Sequence, residues 1–428
     1  MRKRFIILLL TLPIVLAAQV RISGNHTEIV NPANVDHVVL FADLSESDAY
    51  LEYTGAGTFS WQDLNGATLQ SGTGAETLYP ESDKGYLLHT PDTTISFYVL
   101  DYKLYRPTLT DLTAQAGCES TELTLTGVLP EMSYQDKYLM MHKLPRQAEI
   151  TYTTLAWSES ESAWIDSTAT ETVRLQPFMS VGAPLRDTHF TLRADQYAQL
   201  LNVDPDTIST DVMTAIAVAC HPTSVTTKRG DTTENEVERP TDETQLSGSA
   251  PIEINFLSNA NKPTALYFRW AIYKGTDLIA VRTDETQRYT FMENGAYQVK
   301  VWVSNDSCTT DSTVFDVSIS SSQLVVPNVF TPNGDGVNDE FRVMYRSIEE
   351  FHCWVYNRWG KLVYQWDDPA KGWDGTINGQ PAAAGAYFYI IRARGTDADP
   401  KGKYHKVTKR RPADIGIYQL SGDINLIR

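Results

Sequence analysis

Between residues 20 and 106 the chain repeats one device: a short apolar string with alternating character, then a cluster of turn residues. "HVVLFADL", "AYLEYT", "GTFSWQDL", "GYLLHT" and "ISFYVLDY" all follow this plan, and each is too short to bury a helical stripe. Alternation every second residue places one set of side chains on one face, which is the pattern of a half-buried strand. Strings of this length, closely spaced, predict a small β-sandwich with Trp61 as its buried aromatic plug. "YRPTLTDL" then reads as a hinge into a second unit.

The device recurs downstream. Strands are expected in "ELTLTGV", "AEITYTTLAW", "AWIDSTATETVRLQPF" and "MTAIAVAC", and "RADQYAQLLNV" has the apolar spacing of a short helix. Residues 229–250 are polar and almost free of apolar side chains, so they cannot bury enough surface to fold alone and are expected to be a linker. In the next unit, "YTFMENGAYQVKVWVSNDSC" puts Tyr297, Val299, Val301 and Val303 on one face of a strand, with Trp270 in "YFRWAIY" as the core tryptophan. That unit resembles PKD-like immunoglobulin domains, although the usual acidic, Gly-rich early turn is missing. The fold class is therefore all-β: tandem immunoglobulin-like β-sandwich domains, ending in a further small β-sandwich. The expected boundaries are 19–106, 107–228, a linker at 229–250, 251–321 and 322–428.

Charge and leader narrow the function classes. With 36 Lys plus Arg against 53 Asp plus Glu, the net charge of −17 argues against a nucleic-acid partner. Residues 1–18 have a basic start, an apolar run and small residues at Ala17 and Ala18, the layout of a secretory signal peptide. An exported chain meets an oxidising compartment, where its four cysteines can pair. Cys118 and Cys220 are the preferred bridge, on the expectation that they flank the first and last strands of one domain.

"VPNVFTPNGDGVNDEF", residues 326–341, is an elaborate corner. Pro332 fixes φ, Gly334 and Gly336 admit backbone that a side chain would oppose, and Asn333, Asp335, Asn338 and Asp339 can bond their own backbone. A calcium reading competes for Asp335, Asn338 and Asp339, but the full EF-hand spacing with its bidentate Glu is absent, so no metal is assigned. "CWVYNRWGKLVYQ" then reads as a hairpin with Trp354, Tyr356 and Trp359 available to its buried face.

Four pieces in order, "VPNVFTPNGDGVNDEF", "FHCWVYNRWGKLVYQ", "WDGTINGQPAAAGAYFYII" and "GDINLIR", resemble the gliding-motility-associated C-terminal domain. This is the type B sorting domain of the Bacteroidetes type IX secretion system. The resemblance implies export through the outer membrane, to the cell surface or beyond. It also implies two partners, the type IX translocon and an outer-membrane protein of the PorP/SprF kind. The docking residues expected on that basis are the final strand, Asp423, Ile424, Asn425, Leu426, Ile427 and Arg428. A basic insertion departs from the family pattern. Lys401, Lys403, Lys406, Lys409, Arg410 and Arg411 there form either a solvated loop that protects an edge strand or a docking patch for anionic lipopolysaccharide.

No HExxH, no GxSxG elbow and no phosphate loop occurs, and no cofactor is implied. Three functions stay open for the upstream part: an accessory or signalling component of the secretion machinery, typified by PorA-like proteins; an adhesin binding glycans or proteins; and a secreted hydrolase. The inner domains do not repeat one another, which tilts the reading toward the first.

Overall fold

The computed structural model describes residues 20–230, 235–310, 313–398 and 416–428. The segment expected to be a signal peptide lies outside them. The chain divides into two units, residues 1–158 with 164–217, and residues 159–163 with 218–428.

The first unit holds two of the expected sandwiches. In the N-terminal one, a six-stranded sheet is ordered His26–Glu28, His37–Phe41, Thr94–Asp101, Lys84–His89, Thr58–Asp63, Thr68–Thr73. A three-stranded sheet of Val20–Ser23, Tyr50–Tyr53 and Glu76–Leu78 covers one face. Alternation sends Leu51, Tyr53, Phe59 and Trp61 into the space between them, where Trp61 is fully buried. In the second sandwich, Thr108–Gln115, Ser120–Val128 and Phe178–Gly182 face a sheet of Ala163–Arg174, Gln147–Ser158, Thr191–Ala194 and Asp206–Ser209. The short helix forms as Gln196–Leu200, and Asp195 caps it by accepting from the N–H groups of Tyr197 and Ala198.

The expected hinge at 105–112 is not one. Val38, Leu40, Tyr98 and Leu100 of the first sandwich share a core with Met132, Tyr134, Tyr197 and Leu201 of the second. Within that seam Arg146 is salt-bridged to the fully buried Asp195, whose other oxygen accepts from the Tyr102 hydroxyl at 2.9 Å. Arg146 also donates to the carbonyls of Tyr105 and Pro130. The junction is a buried polar knot in place of a flexible tether.

In the second unit, Thr223–Thr226, Ile252–Leu257 and Thr286–Phe291 form one sheet of the immunoglobulin-like domain. Ser247–Gly248, Thr313–Ile319, Gly295–Ser304, Tyr267–Lys274 and Asp277–Arg282 form the other. Tyr297, Val299, Val301 and Val303 share its buried face, and Trp270 is fully buried with its indole N–H donating to the Asp284 carbonyl at 3.0 Å.

Three expectations need correcting. The boundary near residue 228 moves to about 217, because Thr223–Thr226 is a strand of the later domain. "MTAIAVAC" makes only isolated bridges at Met213 and Cys220, because its backbone turns to loop partners such as the Asp187 carboxylate. The polar stretch 229–250 is not a free linker. Asn235 donates to the carbonyls of Val343 and Pro369, Val237 N–H reaches Tyr345 O at 2.8 Å, Ser347 N–H donates to the Ser249 hydroxyl, and the Ser347 hydroxyl accepts from Ala250 N–H. Lacking apolar side chains to bury, the strap is held by hydrogen bonds to the immunoglobulin-like and C-terminal domains on either side.

Candidate functional site in the C-terminal domain

The last domain is built on a five-stranded sheet ordered Val329–Phe330, Ile417–Leu426, Gly385–Gly395, Ile348–Tyr356, Leu362–Trp366. One face is covered by Phe341, Val343, Trp373 and Ala382, and the aromatic centre is Phe330, Phe341, Trp373 and Tyr389. Trp373 donates its indole N–H to Thr376 O at 2.7 Å.

The corner at 331–339 is organised by one carboxylate. Asp339 accepts from the backbone N–H groups of Asn333, Gly334 and Gly336 at 2.9, 2.6 and 2.7 Å. Gly334 and Gly336 stand at φ 81° and 85°, in the left-handed region the sequence anticipated. Asp335 accepts from Val337 N–H, and Asn338 returns its carbonyl to Thr331 N–H. The Gly334 and Gly336 amides, with that of Asn333, hold the Asp339 carboxyl below the usual range. Among the described residues no group of three or more His, Cys, Asp or Glu is placed to hold a metal ion.

The final strand lies inside the sheet. It pairs antiparallel with Gly385–Gly395 along its length and parallel with Val329–Phe330 at Asn425 and Leu426. The six residues expected to dock therefore divide. Ile424 and Leu426 are buried in the core, while Asp423, Asn425, Ile427 and Arg428 are exposed. Arg428 donates to Gly375 O at 3.0 Å. Gly375, at φ 74°, leaves no room for a Cβ, which would stand 3.0–3.2 Å from Pro332, Leu426 and Phe330. The six basic residues from Lys401 to Arg411 fall outside the described residues.

The hairpin forms as Ile348–Tyr356 and Leu362–Trp366, but with the opposite face inward from that expected. Phe351, Cys353 and Val355 point to the core, so Trp354 and Tyr356 lie on the outer face and Trp359 at the turn is 74% exposed. The strand keeps its alternation, and the smaller residues fit the space left under Trp366 and Tyr389. On the outer face Trp354 stands across from Ile390 and Tyr356 from Phe388, and an open groove runs beside them past Arg358 to Asp423. Nothing in the strand pattern marks this aromatic surface beyond the residues expected in the core.

The preferred disulfide is also corrected. Cys220 and Cys353 carry free thiols, whereas Cys118 and Cys308 are each disulfide-bonded. Cys220 bridges Ala260 in the immunoglobulin-like domain and so does not close the domain that holds Cys118. Burial pushes the Cys353 thiol well up, and it is inert core.

Comparison with known families matches residues 324–407 to the CHU_C type IX secretion signal domain. The chain carries a type IX secretion signal domain at its C-terminus. The corner, the outward aromatic face and the whole Gly385–Gly395 strand all lie within the matched residues. Residues 111–210 match a fibronectin type III domain, which is the second sandwich. Neither is a catalytic domain type. The signal domain implies secretion by the type IX system and a protein at the cell surface or outside it. No curated protein matches the chain. Similar solved structures include the FN1–FN3 domains of chicken CNTN1, at 13% identity and TM-score 0.23, covering 76% of this chain and 99% of that one. The dimeric latent PorU from Porphyromonas gingivalis is another, at 9% identity and TM-score 0.15, covering 75% of this chain and 34% of that one.

Proposed function

We propose that this is a non-enzymatic cell-surface protein whose signal domain both directs export and stays docked at the outer membrane, as an accessory or signalling component of the type IX machinery. The observation that carries the reading is the signal domain's ordered attachment to the rest of the chain. The strap at 235–250 bonds it to the immunoglobulin-like domain through Asn235, Val237 and Ser249, an arrangement suited to a retained module. Charge supports docking. Residues 324–428 hold 14 Lys plus Arg against 12 Asp plus Glu, a net of +2, while the remainder of the chain carries −19. The partner surfaces in this reading are the translocon and a PorP/SprF-like protein, with anionic lipopolysaccharide meeting Lys401 to Arg411. The PKD-like third domain serves as a spacer.

Fractionation with surface proteolysis, comparing the full chain with one lacking residues 324–428, tests export. The full chain is expected to be protease-accessible and the truncated one to stay in the periplasm. Loss of the whole protein should then impair export of unrelated type IX cargo. If cargo export is untouched and the upstream domains bind glycans in solution, the adhesin reading replaces this one.

A further inference from the structure

In the first unit, the hairpin Ser133–Gln135 and Met141–Lys143 holds a loop whose tip reads Tyr138-Leu139-Met140-Met141. All four side chains face solvent, at 66, 47, 62 and 58% exposure. Single exposed apolar residues are ordinary, but four in succession on a projecting hairpin are not. Leu139 is moreover fixed at φ 66°, a left-handed conformation that a leucine adopts only at a cost.

The amide N–H groups of this tip are all engaged within the protein. Asp136 N–H donates to Met140 O and Leu139 N–H to Asp136 O, both at 2.9 Å. Tyr138 and Met140 N–H groups both donate to one oxygen of the Asp136 carboxylate, at 2.8 and 2.9 Å. Lys137 N–H reaches Asn34 O, and the Gln135 side chain donates to Leu139 O at 3.1 Å. The other Asp136 oxygen meets His142 Nε2 and the Asn34 amide, so the carboxylate is itself fully buried among donors. Every amide N–H from 136 to 140 therefore has a partner inside the protein.

That closure separates the two apolar surroundings the tip could enter. A protein groove supplies hydrogen-bond partners and does not require a loop to satisfy its own amides. Lipid hydrocarbon supplies none, so backbone entering it has to be satisfied internally. The flank fits the same surroundings: Lys137, beside the apolar tip, lies over the Tyr138 ring at 5.4 Å, a cation on a long stem able to reach headgroup phosphates, whereas Lys143 at the hairpin base is ion-paired with Glu131. The geometry points to a lipid-inserting hairpin, in which Tyr138, Leu139, Met140 and Met141 enter the acyl boundary of an anionic membrane surface. This assignment stands apart from the signal domain and does not depend on how that domain is recognised.

Flotation of the purified full chain with vesicles of phosphatidylethanolamine and phosphatidylglycerol tests it. The wild type is expected to float with the vesicles. Tyr138→Ser with Met140→Ser should weaken binding by at least about tenfold while leaving the melting temperature unchanged, since both side chains are already in water. Lys137→Glu should weaken binding to these vesicles more than to phosphatidylcholine vesicles. Failure of the wild type to float at any lipid concentration, or equal flotation of the double serine variant, overturns the assignment. So does sedimentation showing a wild-type dimer that the double variant converts to monomer, because the tip's occupant is then a second copy of the chain.

Discussion

Single residues in this protein act mainly by accepting backbone hydrogens. Asp339 and Asp136 each collect N–H groups from a loop that buries little apolar surface of its own. For Asp136, burial by itself would raise the carboxyl, but the His142 ring, the Met140 N–H, Asn34 and the Tyr138 N–H outweigh it and hold the group well below the usual range. Both folded carboxyls sit below their unfolded values, so each contributes stability above about pH 4 that is lost as pH falls further. Protection factors at Gly334, Gly336 and Met140, taken against intrinsic rates at each pH, should therefore fall selectively in acid while strand amides stay protected. Protection that falls equally at all sites would contradict this. Trp270→Ala empties the centre of the immunoglobulin-like domain and should cost about 3–5 kcal/mol, read by chemical denaturation.

Among elements, strands with strict alternation were legible and those defined by their neighbours were not. "QVKVWV" announced its buried face because one set is uniformly aliphatic or aromatic. The hairpin at 348–366 misled because Trp354, Tyr356 and Trp359 look like core, whereas Cys353 and Val355 occupy it. Size alone does not set the parity; the space beneath the partner strand does. The strap at 229–250 was read as a linker because its composition speaks only to folding alone, and its bonds go to other domains. The final strand was legible from order along the chain; that Ile424 and Leu426 would be core was not. Ile424→Asp should consequently unfold the signal domain, a loss of more than about 3 kcal/mol, whereas Asn425→Asp should leave its melting unchanged. The run Tyr138 to Met141 is a non-alternating apolar string after a lysine, a pattern that by itself does not distinguish an exposed tip from core.

For the whole molecule, the hydrophobic seam and the Arg146–Asp195 pair make the first two sandwiches one folding unit. Arg146→Ala leaves a buried carboxylate without its cation and should cost about 3–5 kcal/mol. It should also split one thermal transition of that unit into two, because the first sandwich retains its own Trp61 core. A variant that still melts in a single step would show that the apolar seam suffices. The net charge of −17 played its part only by excluding partners; the uneven placement of that charge emerged once the signal domain's bounds were known.

The signal domain's opening strand, Val329–Phe330, finds its sheet partner in Asn425 and Leu426, about a hundred residues later in synthesis. Until those residues are added, Val329–Phe330 lacks its sheet partner, and Leu426 is missing from the side chains that close around Gly375. A prematurely terminated product would thus display an unfinished address. Closing the sheet ties the two ends of the domain together, and a chain cut between them should lose the domain's cooperative melting.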